Sequence, residues 1–378
     1  AFINARVCEG CGDCSKTSNC LSVVPQETEY GRKRAIDQSS CNKDFSCVDG
    51  FCPSFVTVHG GSLLKGKAAY LKETAWAVLP EATLPNLTAQ PYGILVTGIG
   101  GTGVVTIGAL LGMAAHLEGK GCSVLDMAGL AQKGGAVTSH IRIGRQPDDI
   151  HAVRIAAGGT DLLLACDMVV ASGPDVLAKL HKGRSRAIVN SIVTPTADFT
   201  LHRDFHFSEE NMRHRIIADA DTDFVAASSL ASQLMGDSLA TNMFMLGYAW
   251  QKGLIPLSRE AIERAIDINN AAVEMNQRAF LWGRRAAIDL AKVQGISNPT
   301  SGSPVISENF EDKMARRIAD LTAYQNLAYA RRYKDLVIAA QTAETHKTPG
   351  KTGLADAVAR DYYKLLAYKD EYEVARLY

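Results

Sequence analysis

Apolar and polar positions change rhythm at Gly93. From there, short apolar runs alternate with longer stretches of helical period. "GILVTGIGGTG" reads as a buried strand ending in a turn, and "VVTIGALLGMAAHLEGKG" as the helix behind it. "SVLDMAG" and "TSHIRIG" read as two further strands, "DLLLACDMVVASG" as an apolar helix–strand passage, and "SRAIVNS" as another buried strand. Strands alternating with helices predict an α/β fold, a parallel-rich sheet covered by helices on both faces. Pro256 and Ser258 open a helix through "REAIERAIDINN", and "AAVEMNQRAFLWGRRAAIDLAKVQG" continues as one or two more. Residues 308–378 keep a helical pattern, broken at "HKTPGKTG". Tyr and Ala recur there at helical spacing in "DLTAYQNLAYARRYKDLV", which predicts packing against a neighbouring domain.

At 378 residues the chain is long enough for two or three domains. Residues 1–58 form a cysteine-rich module too short to fold on an apolar core alone. Residues 59–92 carry Pro80, Pro85 and Pro91 and read as a linker over a surface. Residues 93–298 hold the α/β pattern, and 299–378 the helical one. No internal repeat emerges. The chain opens at Ala1 without an initiator Met and closes in a helical pattern, so it is expected to be part of a longer protein.

Composition narrows the function classes. With 47% hydrophobic residues and 40 basic against 40 acidic side chains, no electrostatic footprint for nucleic acid or an anionic membrane is present. The uncharged run from Gly93 to Ala115 is long enough to imitate a membrane span, but seven glycines and three threonines make it a strand, a turn and a helix. The cysteine-rich start does not read as a signal peptide. A soluble, cytoplasmic protein with free thiols is expected.

The cysteines suggest chemistry. Seven of nine precede residue 53. Cys8, Cys11 and Cys14 stand at C-x2-C-x2-C, so one short loop can bring three sulfurs to one centre. Cys20, Cys41, Cys47 and Cys52 follow, and Pro53 succeeds Cys52. Disulfides fit poorly, because seven is odd and the remaining chain is rich in core residues. Structural zinc usually shows paired C-x2-C arms. An iron–sulfur cubane takes three thiolates close in sequence and a distant one, usually before Pro. In the bacterial ferredoxin run the Cys before Pro ligates the cluster other than its own triplet's, which assigns Cys8, Cys11, Cys14 and Cys52 to one [4Fe-4S] cluster. Cys20, Cys41 and Cys47 leave an irregular second site one thiolate short, or no second site.

"GIGGTG" sets Gly98, Gly100 and Gly103 in G-x-G-x-x-G spacing between strand and helix, with Asp126 closing the next strand. That pattern defines a Rossmann-like turn. It either cradles a dinucleotide, with Asp126 on the ribose, or only permits a tight turn. A second loop places Lys133 before Gly134 and Gly135, where amides and an ammonium can meet an anion. Alternation puts Thr138 and His140 on one face of their strand and Ser139 on the other, with His140 packed rather than catalytic. Asp161 and Asp167 have no paired acid at working spacing. Asp219, Asp221 and Asp223 lack the rest of a calcium loop. His202, His206 and His214 read as a solvated loop, and Cys122 and Cys166 as core.

Together, "VCEGCGDC", "SNCLSV", "CNKDFSCVDGFCPSF", "GILVTGIGGTGVVTIGALLGMAA" and "MAGLAQKGGAVTSHIRI" resemble the 2-oxoacid:ferredoxin oxidoreductase family, and most closely the long fused indolepyruvate:ferredoxin oxidoreductases of bacteria. The similarity runs on through "GDSLATNMFMLGYAWQKGLIPL" and "NNAAVEMNQRAFLWGRRAA" in the gamma-type domain and into the helical tail. It implies decarboxylation of an arylpyruvate on thiamine diphosphate with Mg, coenzyme A as acyl acceptor, and single electrons leaving through iron–sulfur clusters to ferredoxin. The thiamine signature is not in these residues, since Asn269-Asn270 lacks the upstream glycine-aspartate-glycine loop; the family places it before the cysteine module. The resemblance therefore implies a thiamine-binding part of the same enzyme as partner, dimers of the whole, and no catalytic residue here. Gly98, Gly100, Gly101, Gly103, Lys133, Gly134 and Gly135 would face that part or coenzyme A. Where the family often has Arg before the glycine pair, Lys133 keeps the charge without the planar fork. An NAD(P)-linked module and a noncatalytic assembly domain are the rival readings.

Overall fold

The computed structural model describes residues 1–38, 40–61, 76, 78–100, 103–129, 135–193, 208–297 and 309–378. Among these, ten strands form three sheets. In the cysteine module, β1 (Phe2–Ile3) pairs antiparallel with β4 (Phe55–Val56), closing the module's two ends together. Between them lies a hairpin of β2 (Val23–Thr28) and β3 (Gly31–Ile36). The Thr28 hydroxyl accepts from the Tyr30 amide at 3.2 Å and donates to the Gly31 carbonyl at 2.6 Å, which fixes the two-residue turn. The module's buried core is small, and three of its five members are cysteines, Cys8, Cys20 and Cys47.

The main sheet contains β5 (Tyr92–Ile99), β6 (Gly121–Ala128), β7 (Ala136–Gly144), β8 (Leu162–Ala165), β9 (Arg186–Asn190) and β10 (Asp221–Val225), in the spatial order β10-β9-β8-β5-β7-β6. The pairs β10-β9, β9-β8 and β8-β5 are parallel, while β7 runs antiparallel to both β5 and β6. The sheet is thus parallel-rich, with one reversed strand. The reversal follows from chain length. Only residues 129–135 join β6 to β7, too few for the crossover that a parallel return requires. "DLLLACDMVV" is strand then helix, not helix then strand. The Asp167 carboxylate accepts from the Val170 amide at 2.9 Å and starts the short helix Met168–Ala171. The "DADTD" run enters β10, an edge strand in which Asp221 lies 3.0 Å from Arg186 and Asp223 lies 3.5 Å from Lys252.

Both faces of the sheet are covered. On one, helices Val104–Leu117, Ala227–Met235, Thr241–Gln251, Arg259–Asn269 and Val273–Ile288 bury the larger core, which includes Ile94, Val96, Ile141 and Trp250. On the other, Met168, Val176, Met212 and Ile216 cover Leu95, Leu163 and Val189. Helix Thr241–Gln251 is buried at every position. It meets helix Val273–Ile288 through glycine on both sides: a Cβ on Gly247 would lie 2.0 Å from the Phe280 carbonyl oxygen, and one on Gly283 would lie 1.9 Å from that of Phe244. The run from Gly93 to Ala115 holds most of β5 and the start of helix Val104–Leu117, and no helix among the described residues is long and apolar enough to cross a membrane.

Helices Phe310–Tyr324, Leu327–Lys347 and Leu354–Leu366 enclose a core of their own around Leu321, Tyr333 and Val337. The expected Tyr/Ala stripe therefore packs largely within this region: Tyr333 stacks on Tyr362 at 6.3 Å between ring centroids. Contact with the cysteine module comes from other residues. Arg316 meets Glu29 at 2.6 Å, Lys369 meets Glu9 at 2.6 Å, and the rings of Tyr30 and Tyr363 lie 5.3 Å apart. The last helix, Glu371–Leu377, reaches the module as well, and the Tyr378 hydroxyl donates to the Pro53 carbonyl.

Candidate functional site

The loop from Cys8 to Cys14 coils tightly because Gly10 and Gly12 both take positive φ, 70° and 85°. At Gly10 the requirement is doubled, since a Cβ would sit 2.1 Å from the Arg32 carbonyl oxygen on the neighbouring hairpin. The chain then enters helix Asp13–Ser18, which carries Cys14. Cys8, Cys11, Cys14 and Cys52 all line one cavity of about 300 Å³, and Cys47 reaches it from its short 3-10 turn. The Gly10 amide donates to the Cys8 sulfur at 3.3 Å, and the Cys52 sulfur lies 3.0 Å from the Ser54 hydroxyl.

Burial pushes the Cys14 thiol up to about 11, with Cys8 and Cys52 adding like-charge repulsion. Facing these thiols is Arg34, 1% exposed, whose charge interacts with Cys14, Cys8 and Cys11. A buried guanidinium beside three thiols is a counter-charge for thiolates. Cys47 falls in a second electrostatic group. Burial raises its thiol first, and Cys20 and Cys41 raise it further. All nine cysteines are free thiols. Among the described residues, no three His, Cys, Asp or Glu side chains converge closely enough to hold a metal ion as they stand. In kind the donors suit an iron–sulfur cluster: three thiols from one loop and a fourth before proline line one cavity.

The two glycine loops meet at the end of β5. The Gly100 amide donates to the Gly135 carbonyl at 2.8 Å, and Gly98 pairs with Val137 across the β5-β7 ladder. Gly103 takes φ 86° at the start of helix Val104–Leu117. Gly101, Lys133 and Gly134 lie outside the described residues. Asp126 does not stand where a ribose-binding acid stands beside a glycine loop. Strand β7 lies between β6 and β5, which sets Asp126 two strands, about 10 Å, from β5. Its carboxylate instead lies over helix Val104–Leu117, 3.4 Å from the position of a Cβ on Gly108.

Other candidates prove structural. Ser139 faces Gly108, whereas His140 points to the opposite face and its Nδ1 accepts from the Ile155 amide at 3.2 Å. Asp161 accepts from the Gly93 amide at 2.8 Å and pairs with Arg184 at 3.1 Å. Cys166 is buried, Cys122 packs partly buried beside the larger core, and His214 is exposed on its helix. His202 and His206 lie outside the described residues. Sequence reasoning missed Arg34, because Lys33 and Arg34 are adjacent and both buried, on opposite sides of β3, so "GRKRAI" carries no alternation that marks either.

Burial holds the His140 imidazole at about 4, with Lys179 and Arg154 adding repulsion, against an ordinary 6.5. Between those pH values the unfolded chain takes up the proton and the folded chain does not. Stability contributed by neutral His140 is complete above pH 6.5 and falls by up to about 3 kcal/mol as pH drops to 4. His140→Gln should flatten that part of a urea-midpoint profile against pH, and an unchanged slope would assign the acid sensitivity to other groups.

The geometry defines an α/β domain with a parallel-rich mixed sheet, joined in one chain to a small module whose cysteines line one cavity. The chain belongs to the pyruvate ferredoxin/flavodoxin oxidoreductase family, whose pattern matches residues 93–286. Residues 310–378 match a second family, of unknown function. The chain is 29% identical over 205 residues to the indolepyruvate oxidoreductase subunit IorB of Pyrococcus horikoshii, covering 53% of this chain and 98% of that protein. The IorB subunit of Methanothermobacter thermautotrophicus is 29% identical over 208 residues, covering 52% and 98%. Among solved structures, the keto/oxoacid ferredoxin oxidoreductase gamma subunit of Geobacter sulfurreducens aligns with 52% of this chain and 98% of its own, at 23% identity and a TM-score of 0.38.

Proposed function

We propose that this chain is the electron-carrying portion of a 2-oxoacid:ferredoxin oxidoreductase acting on indolepyruvate or a related arylpyruvate. The observation that carries the reading is the shared cavity of Cys8, Cys11, Cys14 and Cys52 in a chain whose residues 93–286 match this oxidoreductase family. A [4Fe-4S] cluster held there would accept and release one electron at a time. The chain's own residues supply the setting: Arg34 balances thiolate charge, the Gly10 amide donates toward the Cys8 sulfur, and Lys369 and Val374 of the tail form part of the cavity wall. Cys20, Cys41 and Cys47 would hold a second centre, incomplete by one thiolate.

In this reading residues 1–58, 93–298 and 299–378 work as separate units, with 59–92 as the linker. Thiamine diphosphate with Mg sits in another part of the same enzyme, coenzyme A takes the acyl group, and ferredoxin receives the electrons in the cytoplasm. Gly98, Gly100, Gly101 and Gly103, with Lys133, Gly134 and Gly135, would present amides and charge to the thiamine-binding part or to coenzyme A in a dimeric whole. The Gly100–Gly135 hydrogen bond supports a single shared face for the two loops.

Anaerobic purification with iron and acid-labile sulfide counted per chain tests the reading, followed by electron paramagnetic resonance after dithionite reduction. About four irons with one reduced-cubane signal is the expected result, and about seven or eight would add the second centre. Zinc without sulfide would overturn electron transfer and leave an assembly domain.

A further inference from the structure

A second cavity, of about 350 Å³, lies between the cysteine module and the C-terminal helices. In a chain of zero formal charge its lining is unbalanced, with seven basic and four acidic side chains. Every acid is already engaged. Glu9 holds Lys369 at 2.6 Å, and Asp361 holds Arg360 at 2.9 Å. Asp320 and Glu373 share Arg376, at 3.3 and 2.6 Å.

Several cations are not. Among the described residues, Lys33, Arg6 and Lys364 make no side-chain hydrogen bond or ion pair. Lys33 is the telling one, because it is only 5% exposed. Arg317, also 5% exposed, donates one guanidinium N–H to the Glu29 carbonyl, but its Nε–H has no acceptor. Two buried cations with unused donors on one cavity are costly unless an anion completes them. The cysteine chamber does not supply it directly. Neighbouring positions on β3 point to opposite sides, so Arg34 lines that chamber, and Lys33 lines this cavity instead.

We propose that this cavity binds a small phosphate-bearing molecule, with Lys33 and Arg317 as its buried donors and Arg6 and Lys364 at its mouth. Ammonium and guanidinium groups suit phosphate oxygens, and the volume suits a small molecule rather than a macromolecular segment. The Tyr30–Tyr363 ring pair forms part of the wall, so a bound molecule would bridge the module and the tail.

Calorimetric titration of pyrophosphate into the full chain, purified anaerobically, tests this, with citrate as a carboxylate probe of comparable charge. Saturable one-to-one binding is expected, weakened about tenfold or more by Lys33→Met, which keeps the stem and removes the charge. The double variant Arg6→Ala/Lys364→Ala changes only exposed side chains and should weaken binding severalfold, so it decides the matter if Lys33→Met fails to fold. Absence of saturable pyrophosphate binding, or unaltered binding in the double variant, would overturn the site. Citrate binding as tightly as pyrophosphate would overturn the phosphate assignment.

Discussion

Gly283→Ala should destroy the native packing of the sheet-bearing half, a loss of about 4 kcal/mol or more. The added methyl carbon would lie 1.9 Å from the Phe244 carbonyl oxygen, well inside van der Waals contact. That oxygen belongs to a helix backbone and cannot rotate aside as a side chain could. The partner helix Thr241–Gln251 is buried throughout, so retreat would open voids against the sheet. Gly247 imposes the same limit from the other side, with its Cβ position 2.0 Å from the Phe280 oxygen. Gly295→Ala is the control. Nothing lies within 4 Å of a Cβ there, and helix propensity alone should make it neutral or favourable by up to about 1 kcal/mol. Thermal melts and limited proteolysis of both variants read the contrast. A Gly283→Ala protein melting with the parent would show that the two helices separate at little cost.

Cys14→Ala should remove the iron of the first centre, from about four atoms per chain to none. Cys14 shares its cavity with Cys8, Cys11 and Cys52 and lies in the electrostatic field of two of them. Because cysteines make up most of the module's buried core, lost ligation should also open residues 1–58 to protease. Cys47→Ala separates the two groups of thiols. If Cys47 belongs with Cys20 and Cys41, the first centre's iron and its reduced-cubane signal persist in that variant. Retention of full iron and sulfide by Cys14→Ala would refute the ligand assignment.

What the sequence revealed, and what it hid, follows from the range of each signal. Strand, turn and helix at Gly93–Ala115 were legible because a short apolar run, glycine punctuation and helical period are all local. The direction of β7 was hidden: "TSHIRIG" carries the same apolar signal whichever way it runs, and only the short 129–135 connection decides. Strand β10 was hidden by its charges, which an edge strand tolerates when Arg186 and Lys252 sit beside its two aspartates. The β2-β3 hairpin was missed because its inward residues are Lys33 and Arg34, both nearly inaccessible, and charge at such positions reads as surface. For the candidate site, spacing grouped Cys8, Cys11, Cys14 and Cys52, which the fold brings to one cavity. Arg34 and the second cavity depend on helices some 300 residues away and left no local trace.

The tail's contacts with the cysteine module set a timetable. Pro53 leaves the ribosome well before the tail, yet the hydroxyl that caps its carbonyl belongs to Tyr378, and Lys369 reaches back to Glu9. At synthesis rates of about 5–20 residues per second, the module waits roughly a quarter of a minute to a minute for the helices that contact it. Throughout that interval the module's thiols stand without Lys369 and Val374, the tail residues that complete the wall of their cavity.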